Sequence, residues 1–261
     1  MKIVFMGTPD FSVPALEELA KVHQVAAVVT QQDRPKGRGH KMQYTPVKEK
    51  ALELNIPVYQ PEKVKNPEFV DILREINPDV IVVIAFGQIL SKEILDLPKY
   101  GCINVHASLL PKYRGAAPIQ WAVIDGEEET GVTTMYMAEG LDTGDVIDTA
   151  VIKLDEKETG GSLFDKLAIE GGKLIVETLS KLENGTATRT QQDDEKSSYA
   201  GKITKELGQI DFTKPAVTIE RLIRGLNPWP SAYTTLDGKA MKVWDATVEE
   251  GNVTEQPREI V

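Results

Sequence analysis

The sequence contains only one cysteine, Cys102, so no disulfide can form within the chain. This scarcity is typical of proteins from a reducing compartment. Long apolar segments are missing too: the longest uninterrupted run, residues 80–86, has seven residues, whereas a membrane-spanning helix needs about 20. Pro9 and Asp10 interrupt the short apolar stretch at the start, which therefore does not resemble a signal peptide. We expect a cytoplasmic protein without a membrane span.

Motifs for metals and dinucleotides are absent as well. The sequence has three histidines, His23, His40 and His106, and neither HExxH nor CxxC, so no metal site is expected. The turn after the first predicted strand, residues 7–10, is Gly-Thr-Pro-Asp rather than GxGxxG. A dinucleotide-binding fingerprint is therefore missing.

Positive charge is in deficit, because the formal net charge is −10. Such a balance argues against a general nucleic-acid binder, since phosphates are neutralised by Lys and Arg. Residues 33–50 are an exception to this acidic balance: they contain six basic and two acidic residues, an excess of four positive charges. A concentrated positive loop can dock RNA locally, although a solvated run of charges fits the same pattern.

Strands rich in Val and Ile alternate with helical patterns along most of the chain. We predict strands at residues 3–7, 25–30, 58–59, 80–86, 102–106, 132–137 and 145–152. Helices are expected at 13–21, with Ser12 as N-cap, and at 46–54, 67–76, 118–124 and 161–182, and a long loop at 31–45. This rhythm predicts an α/β fold: a Rossmann-like, mostly parallel sheet with helices on both faces. Ligands bind beyond the carboxyl ends of strands in such sheets.

Three regions are predicted: a large domain at 1–188, a polar linker at 189–205 and a smaller domain at 206–261. The smaller domain begins with a helix at 217–226. A hairpin follows, with strands at 232–236 and 240–248, because Asp237-Gly238 is a strong signal for a two-residue turn.

The best candidate for chemistry is the Asn104-Val105-His106 segment. Residues two apart on a strand point to the same side, so an amide and an imidazole would project together and could stabilise an oxyanion. Asp142 lies in a glycine-flanked turn, and a carboxylate beside a histidine orients the ring. Taken alone, these patterns also fit a packed histidine and simple turn residues.

Residues 104–115, Asn-Val-His-Ala-Ser-Leu-Leu-Pro-Lys-Tyr-Arg-Gly, resemble the signature of the 10-formyltetrahydrofolate-dependent formyltransferases. One branch of that family acts on methionyl-tRNA. Four further segments resemble this branch: residues 5–11, 32–39, 115–121 and 140–145. Asn227-Pro228-Trp229-Pro230 is similar to the start of its C-terminal domain. These matches are spread over nearly the whole chain and together are specific.

The resemblance implies transfer of a formyl group from the co-substrate 10-formyltetrahydrofolate to the α-amino group of initiator methionyl-tRNA. The family's catalytic positions fall on Asn104, His106 and Asp142. Its folate-binding positions fall on Ser108, Leu109, Leu110, Pro111, Phe86, Gly87, Gln88, Ile89 and Leu90. Its tRNA-binding loop falls on Arg38, with Arg34, Lys36 and Lys41 beside it. A monomer is expected.

Two alternatives remain open. A sibling enzyme would formylate a glycinamide ribonucleotide or an amino sugar, or hydrolyse formyltetrahydrofolate; the basic loop and the second domain favour tRNA. A non-catalytic RNA- or nucleotide-binding module would not bring Asn104, His106 and Asp142 together.

The C-terminal region departs from the family pattern, in which a complete β-barrel helps to bind tRNA. The 56 residues from Glu206 onward predict only two or three strands and carry six basic and nine acidic residues. We therefore expect a truncated, OB-like barrel with weakened affinity for tRNA.

Overall fold

The computed structural model describes residues 1–36 and 41–249. Its strands are β1 (Lys2–Gly7), β2 (Gln24–Val29), β3 (Arg34–Lys36), β4 (Lys41–Gln43), β5 (Val58–Tyr59), β6 (Val80–Ile84), β7 (Cys102–His106), β8 (Arg114–Gly115), β9 (Glu129–Tyr136), β10 (Val146–Lys153), β11 (Tyr199–Ala200), β12 (Ala232–Leu236) and β13 (Lys239–Val243). Its α-helices are α1 (Val13–Val22), α2 (Pro46–Glu53), α3 (Pro67–Ile76), α4 (Lys92–Leu95), α5 (Pro118–Asp125), α6 (Gly160–Glu183) and α7 (Ala216–Gly225).

Seven strands build the central sheet, in the order β10-β9-β7-β6-β1-β2-β5. The five strands from β7 to β5 run parallel, which confirms the predicted α/β fold with a mostly parallel sheet. β9 and β10 run antiparallel at one edge. The connection between β9 and β10 has nine residues, which is too short for a crossover helix. β10 therefore runs antiparallel to β9.

Two apolar layers cover the faces of this sheet. Ile3 and Phe5 of β1 belong to one core cluster, which includes residues of α1 and α6, whereas Val4 and Met6 belong to the other, which includes residues of α3 and α4. Both faces of the strand are therefore buried, as the unbroken apolar runs predict. No helix in the described ranges has the length and apolar character needed to cross a membrane.

The helix starts show how local signals and tertiary contacts compete. Thr159 caps α6 through its hydroxyl, which accepts from the Ser162 backbone N–H in a capping box. Ser12 is the N-cap residue of α1, as predicted, but its side chain makes no capping hydrogen bond. Its buried hydroxyl instead donates to the carbonyl of Ile84 at 2.8 Å and so fastens the turn to β6.

Two segments predicted to be irregular contain strands. The predicted loop 31–45 carries the antiparallel hairpin β3–β4. In the predicted linker 189–205, β11 pairs in parallel with β8, and Thr190 forms an antiparallel bridge with Val146. These short strands lack apolar runs, so nothing in their composition distinguished them from loops.

The C-terminal region contains α7 and the predicted hairpin, here β12–β13. Asp237 and Gly238 have positive φ angles of 48° and 74°, as a primed two-residue turn requires. β13 ends at Val243, before the predicted end at residue 248. Ile210, Ile223 and Ala232 form the small core of this region. Within the described part, its two-stranded sheet does not close into a barrel.

Close packing between α1 and α6 depends on Gly172. A Cβ atom at this position would lie 3.2 Å from backbone atoms of Pro14 and Ala15. We expect Gly172→Leu to lower the free energy of unfolding by about 1–3 kcal/mol because the side chain overpacks this contact. Urea denaturation measures it. Lys173→Leu, at a position that is 59% exposed, is the control and should change stability little; equal losses would contradict the packing account.

Candidate active site

Strand β7 carries Asn104 and His106 on one face of the sheet. Ile103 and Val105 pack into the cluster that includes α1 and α6, while Cys102 packs into the opposite cluster. Because side chains alternate along a strand, Asn104 and His106 share the face of Cys102. His106 is buried, whereas Asn104 is half-buried. The strand thus directs an amide and an imidazole toward the same region.

The ring of His106 lies between a carbonyl and a carboxylate. Its Nε2 is 2.8 Å from the carbonyl oxygen of Tyr113. A carbonyl only accepts hydrogen bonds, so Nε2 carries the proton and donates. Its Nδ1 is 3.7 Å from Oδ2 of Asp142, and the two side chains are only 8% and 13% exposed. This distance exceeds that of a hydrogen bond, so Nδ1 is the ring nitrogen left available to a reactant.

Asp142 occupies a tightly constrained turn. Its φ of 52° lies in the left-handed region, which Asp tolerates better than most residues. The Gly115 backbone N–H donates to Oδ2 at 2.9 Å, the same oxygen that faces His106. At Gly144, a Cβ atom would lie 1.6 Å from the carbonyl oxygen of Tyr136, so the turn requires glycine there.

The structure therefore brings His106 and Asp142 side by side and gives Asn104 the same face of the sheet. A polar cluster of this kind can donate hydrogen bonds to a carbonyl oxygen that becomes negatively charged during a reaction. The catalytic roles of these three residues stay predictions.

The predicted folate loop, residues 108–111, is anchored to the neighbouring strand β9. The buried hydroxyl of Thr133 donates to the Ser108 carbonyl at 2.6 Å and accepts from the Leu110 N–H at 3.2 Å. Ser108 Oγ donates to the Lys112 carbonyl at 2.6 Å. Thr133 is also the β9 partner of His106 in the sheet. The residue that anchors the loop therefore lies beside the histidine on the neighbouring strand.

The second predicted folate segment, residues 86–90, is partly core. Phe86 and Leu90 are buried in the cluster that includes α3 and α4, whereas Ile89 is 87% exposed. Gln88 is held by the Val64 N–H, which donates to its Oε1 at 2.7 Å. Only Gly87 and Ile89 in this segment are therefore clearly open to a ligand, Gly87 being exposed as well.

A cavity of about 670 Å³ lies at the amino-terminal end of β7. Leu95, Cys102 and Met137 contribute apolar walls, and Lys92, Lys99 and Arg189 contribute cations. None of the nine residues predicted to bind folate lines it. Its walls come from separate segments that meet only in the fold, so no local motif could have indicated it.

The basic stretch 33–50 is less positively charged than its residue count suggests, because two of its lysines, both in α2, are paired. Lys48 pairs with Asp33 at 2.5 Å, and Lys50 pairs with Glu17 at 2.9 Å and with Glu53 at 2.5 Å. Burial raises the pKa of Asp33, but the hydrogen bonds from Lys48 and Gln60 outweigh it and leave that pKa lowered. Both lysines are thus neutralised by neighbouring carboxylates.

The remaining basic residues are those predicted to contact tRNA. Arg34 is exposed in β3, and Lys36 and Lys41 belong to β3 and β4. Arg38 lies outside the described residues. Among the described residues, the hairpin thus brings three of the four predicted basic positions together, with Lys36 and Lys41 directly paired in its register.

Sequence reasoning missed Gln192. Its side-chain amide donates to the carbonyls of Asp142 and Gly144, at 2.9 Å and 2.7 Å. A glutamine within a polar run carries no signal of such a contact. In the described part of the chain, no group of three His, Cys, Asp or Glu side chains is arranged to hold a metal ion.

Known families and proteins match nearly the whole chain. The family described as "Formyl transferase" matches residues 1–179, and "Formyl transferase, C-terminal domain" matches residues 202–261. A methionyl-tRNA formyltransferase of Agathobacter rectalis is 63% identical over 258 residues, which cover 98% of this chain and 83% of that protein. A methionyl-tRNA formyltransferase of Lachnospira eligens is 57% identical over 262 residues, which cover 100% of this chain and 83% of that protein.

A solved structure is similar as well. WlaRD, a sugar 3N-formyl transferase crystallised in the presence of dTDP and 5-N-formyl-THF, superposes with a TM-score of 0.71. It is 23% identical in sequence, and the match covers 94% of this chain and 85% of that chain. At this identity, the likeness shows the fold alone.

Cys102 provides a test of the packing beneath the site. Burial raises the pKa of its thiol to about 12, so almost no reactive thiolate exists near pH 8. We expect iodoacetamide to alkylate the native protein at least about 100-fold more slowly than the urea-unfolded chain. With a single cysteine, mass spectrometry reads the rate directly. Equal rates in the two states would show that the thiol is accessible.

Proposed function

This chain belongs to the formyltransferase family, and from that membership we propose that it transfers the formyl group of 10-formyltetrahydrofolate to the α-amino group of initiator methionyl-tRNA. The observation that carries the chemistry is the approach of His106 to Asp142, 3.7 Å apart, on the face shared with Asn104. The names of relatives at 57–63% identity support the acceptor.

We place the pterin end of the co-substrate at the carboxyl ends of β6 and β7, because ligands of parallel sheets bind at this edge. Residues 86–90 follow β6 and residues 108–111 follow β7, so both predicted folate segments lie at this end of the strands. The cavity of about 670 Å³ lies at the other end of β7, and carboxylates of Asp96 and Glu139 line it beside the cations. It is therefore not assigned to the folate.

The co-substrate supplies an activated formyl group on its N10 atom. In the proposed reaction, the neutral α-amine of the methionyl ester attacks the formyl carbon, and negative charge develops on the formyl oxygen. The Asn104 amide and Nδ1 of His106 donate to that oxygen. One such donor typically lowers the barrier by about 3–4 kcal/mol. Because Nε2 already donates to Tyr113, donation from Nδ1 requires the doubly protonated ring.

Asp142 has two roles in this scheme. Its carboxylate, held by the Gly115 N–H, compensates the positive charge of the ring and orients it. The new N–C bond forms while the bond from the formyl carbon to N10 breaks, and one proton must pass from the amine to N10. We assign that relay to Asp142 acting through a water molecule.

Binding of the tRNA is assigned to the basic hairpin and the C-terminal domain. Arg34, Lys36, Arg38 and Lys41 would contact phosphates of the acceptor end. We propose domain boundaries at 1–188 and 206–261, joined by residues 189–205. The OB-like character of the second domain belongs to this proposal, with β12 and β13 as its first strands, as do a monomeric state and a cytoplasmic location.

Substitutions at the three proposed catalytic positions test the chemistry. We expect Asn104→Ala, His106→Ala and Asp142→Asn each to lower kcat about 10²–10³-fold, because each removes a group that acts in the transition state. The affinity for folate, measured by calorimetry, should change less than about threefold. Asp145→Asn is the control for Asp142→Asn, because that carboxylate binds Arg189 instead. Wild-type turnover in all three variants would contradict the assignment.

The same assay separates the rival acceptors. Charged initiator tRNA, glycinamide ribonucleotide, an amino sugar nucleotide and water are offered to the wild-type enzyme with 10-formyltetrahydrofolate. Formylation of the tRNA alone supports the proposal. Efficient transfer to one of the other acceptors, with none to tRNA, would assign the enzyme to a sibling activity.

Two matched substitutions test the role of the hairpin. We expect Arg38→Ala to raise the KM for charged tRNA about tenfold, because a phosphate contact is lost, and to leave the KM for folate unchanged. Lys50→Ala should leave both constants unchanged, because that charge is already paired with Glu17 and Glu53. Steady-state kinetics at two salt concentrations measure both variants. An identical tRNA KM in wild type and Arg38→Ala would remove the hairpin from the tRNA site.

A further inference from the structure

The turn that presents Asp142 is held from outside by a single amide group. Nε2 of Gln192 donates to the carbonyl of Asp142 at 2.9 Å and to that of Gly144 at 2.7 Å. Nε2 also lies 3.9 Å from Sδ of Met135, the β9 partner of Asn104. The two N–H groups of the amide thus hold the backbone of the turn at two points, Asp142 and Gly144.

The guanidinium of Arg114 fixes the direction of that amide. Its Nε and Nη2 donate to Oε1 of Gln192 at 3.0 Å and 2.8 Å, and Nη2 also donates to Asp194 at 2.8 Å. A guanidinium only donates, so Oε1 must face it and the NH₂ group must face the two carbonyls. The side chain of Arg114 is only 11% exposed, so water competes little with these bonds.

The residue after Arg114 holds the other end of Asp142. The Gly115 backbone N–H donates to the carboxylate of Asp142, while the Arg114 side chain, through Gln192, holds the backbone of the same residue. The carboxylate and the main chain of Asp142 are therefore oriented by two neighbouring positions of β8. A shift of either would change the distance from Asp142 to His106.

Gln192 belongs to the segment that joins the two domains, and this segment is bonded to the site on both sides of it. Before it, Thr190 exchanges two backbone bonds with Val146, at 2.8 Å and 2.9 Å. After it, the hydroxyl of Ser198 accepts from the Tyr113 N–H at 2.8 Å, and its carbonyl accepts from the Arg114 N–H at 2.9 Å. The connecting segment thus forms one wall of the site.

We propose that Gln192, oriented by Arg114, is a positioning residue for Asp142, and that the segment joining the two domains thereby sets the geometry of the catalytic carboxylate. This inference rests on the proposed function for its kinetic consequence. The claim that Gln192 positions the Asp142 turn does not depend on which acceptor the enzyme formylates.

The test compares Gln192→Glu with Gln191→Glu. The first keeps the shape and the acceptor for Arg114 but places a carboxylate oxygen against two carbonyls, where the amide donated. The second makes the same chemical change at the exposed neighbouring position. We expect kcat to fall about 10–100-fold in Gln192→Glu and less than about twofold in Gln191→Glu. The KM for folate should stay within about threefold in both.

A double-mutant cycle distinguishes positioning from a general loss of structure. If Gln192 acts through Asp142, Gln192→Glu should lower kcat less than about threefold when Asp142→Asn is already present. A merely structural role would give the same fold-loss in both backgrounds. Equal losses in the two backgrounds, or wild-type kcat in Gln192→Glu, would overturn the proposal.

A readout without turnover separates this proposal from the proposed function. The amide of Gly115 is protected by its bond to Asp142, so its hydrogen exchange, measured by NMR, reports the position of the carboxylate. We expect exchange about tenfold faster in Gln192→Glu and unchanged exchange in Gln191→Glu. Unchanged exchange in both variants overturns the positioning role. Faster exchange in a chain that formylates none of the offered acceptors supports it and rejects only the proposed function.

Discussion

The candidate site depends on one hydrogen bond, from Nε2 of His106 to the carbonyl of Tyr113. This bond settles which ring nitrogen carries the proton in the neutral ring, and so turns Nδ1 toward Asp142. Without it, the ring could present either nitrogen to the reacting group. The orientation of the imidazole is therefore a property of the loop after β7 as much as of the strand itself.

Tyr113 is itself held at several points. Its backbone has a φ of 58°, which non-glycine residues rarely adopt, and its N–H donates to Ser198 in the connecting segment. The single proton of its phenol is shared between carboxylate oxygens of Asp125 and Glu127, at 2.9 Å and 2.8 Å. Burial and these two hydrogen bonds raise the phenol's pKa well above its usual range, so the hydroxyl remains a donor. The imidazole, the strained loop and the interdomain segment thus form one continuous polar network.

The parts of this protein that could be predicted are those with a local cause. Apolar runs indicated the strands, strand alternation put Asn104 and His106 on one face, and Asp237-Gly238 indicated the hairpin. Other features arise from contacts between segments far apart in sequence. Gln192 binds Asp142, which lies 50 residues earlier in the sequence. The hydroxyl of Ser12, the N-cap residue of α1, donates to the Ile84 carbonyl instead of accepting from the helix. Neither pairing leaves a pattern that propensity or periodicity could report.

The most direct test of this account is the tautomer of the neutral His106 ring, read from its two ¹⁵N side-chain resonances. With only three histidines in the chain, single substitutions assign the signals. The account predicts that the neutral ring carries its proton on Nε2 and leaves Nδ1 unprotonated. A neutral ring protonated on Nδ1 would contradict the bond to Tyr113, and with it the proposed route by which His106 donates to substrate.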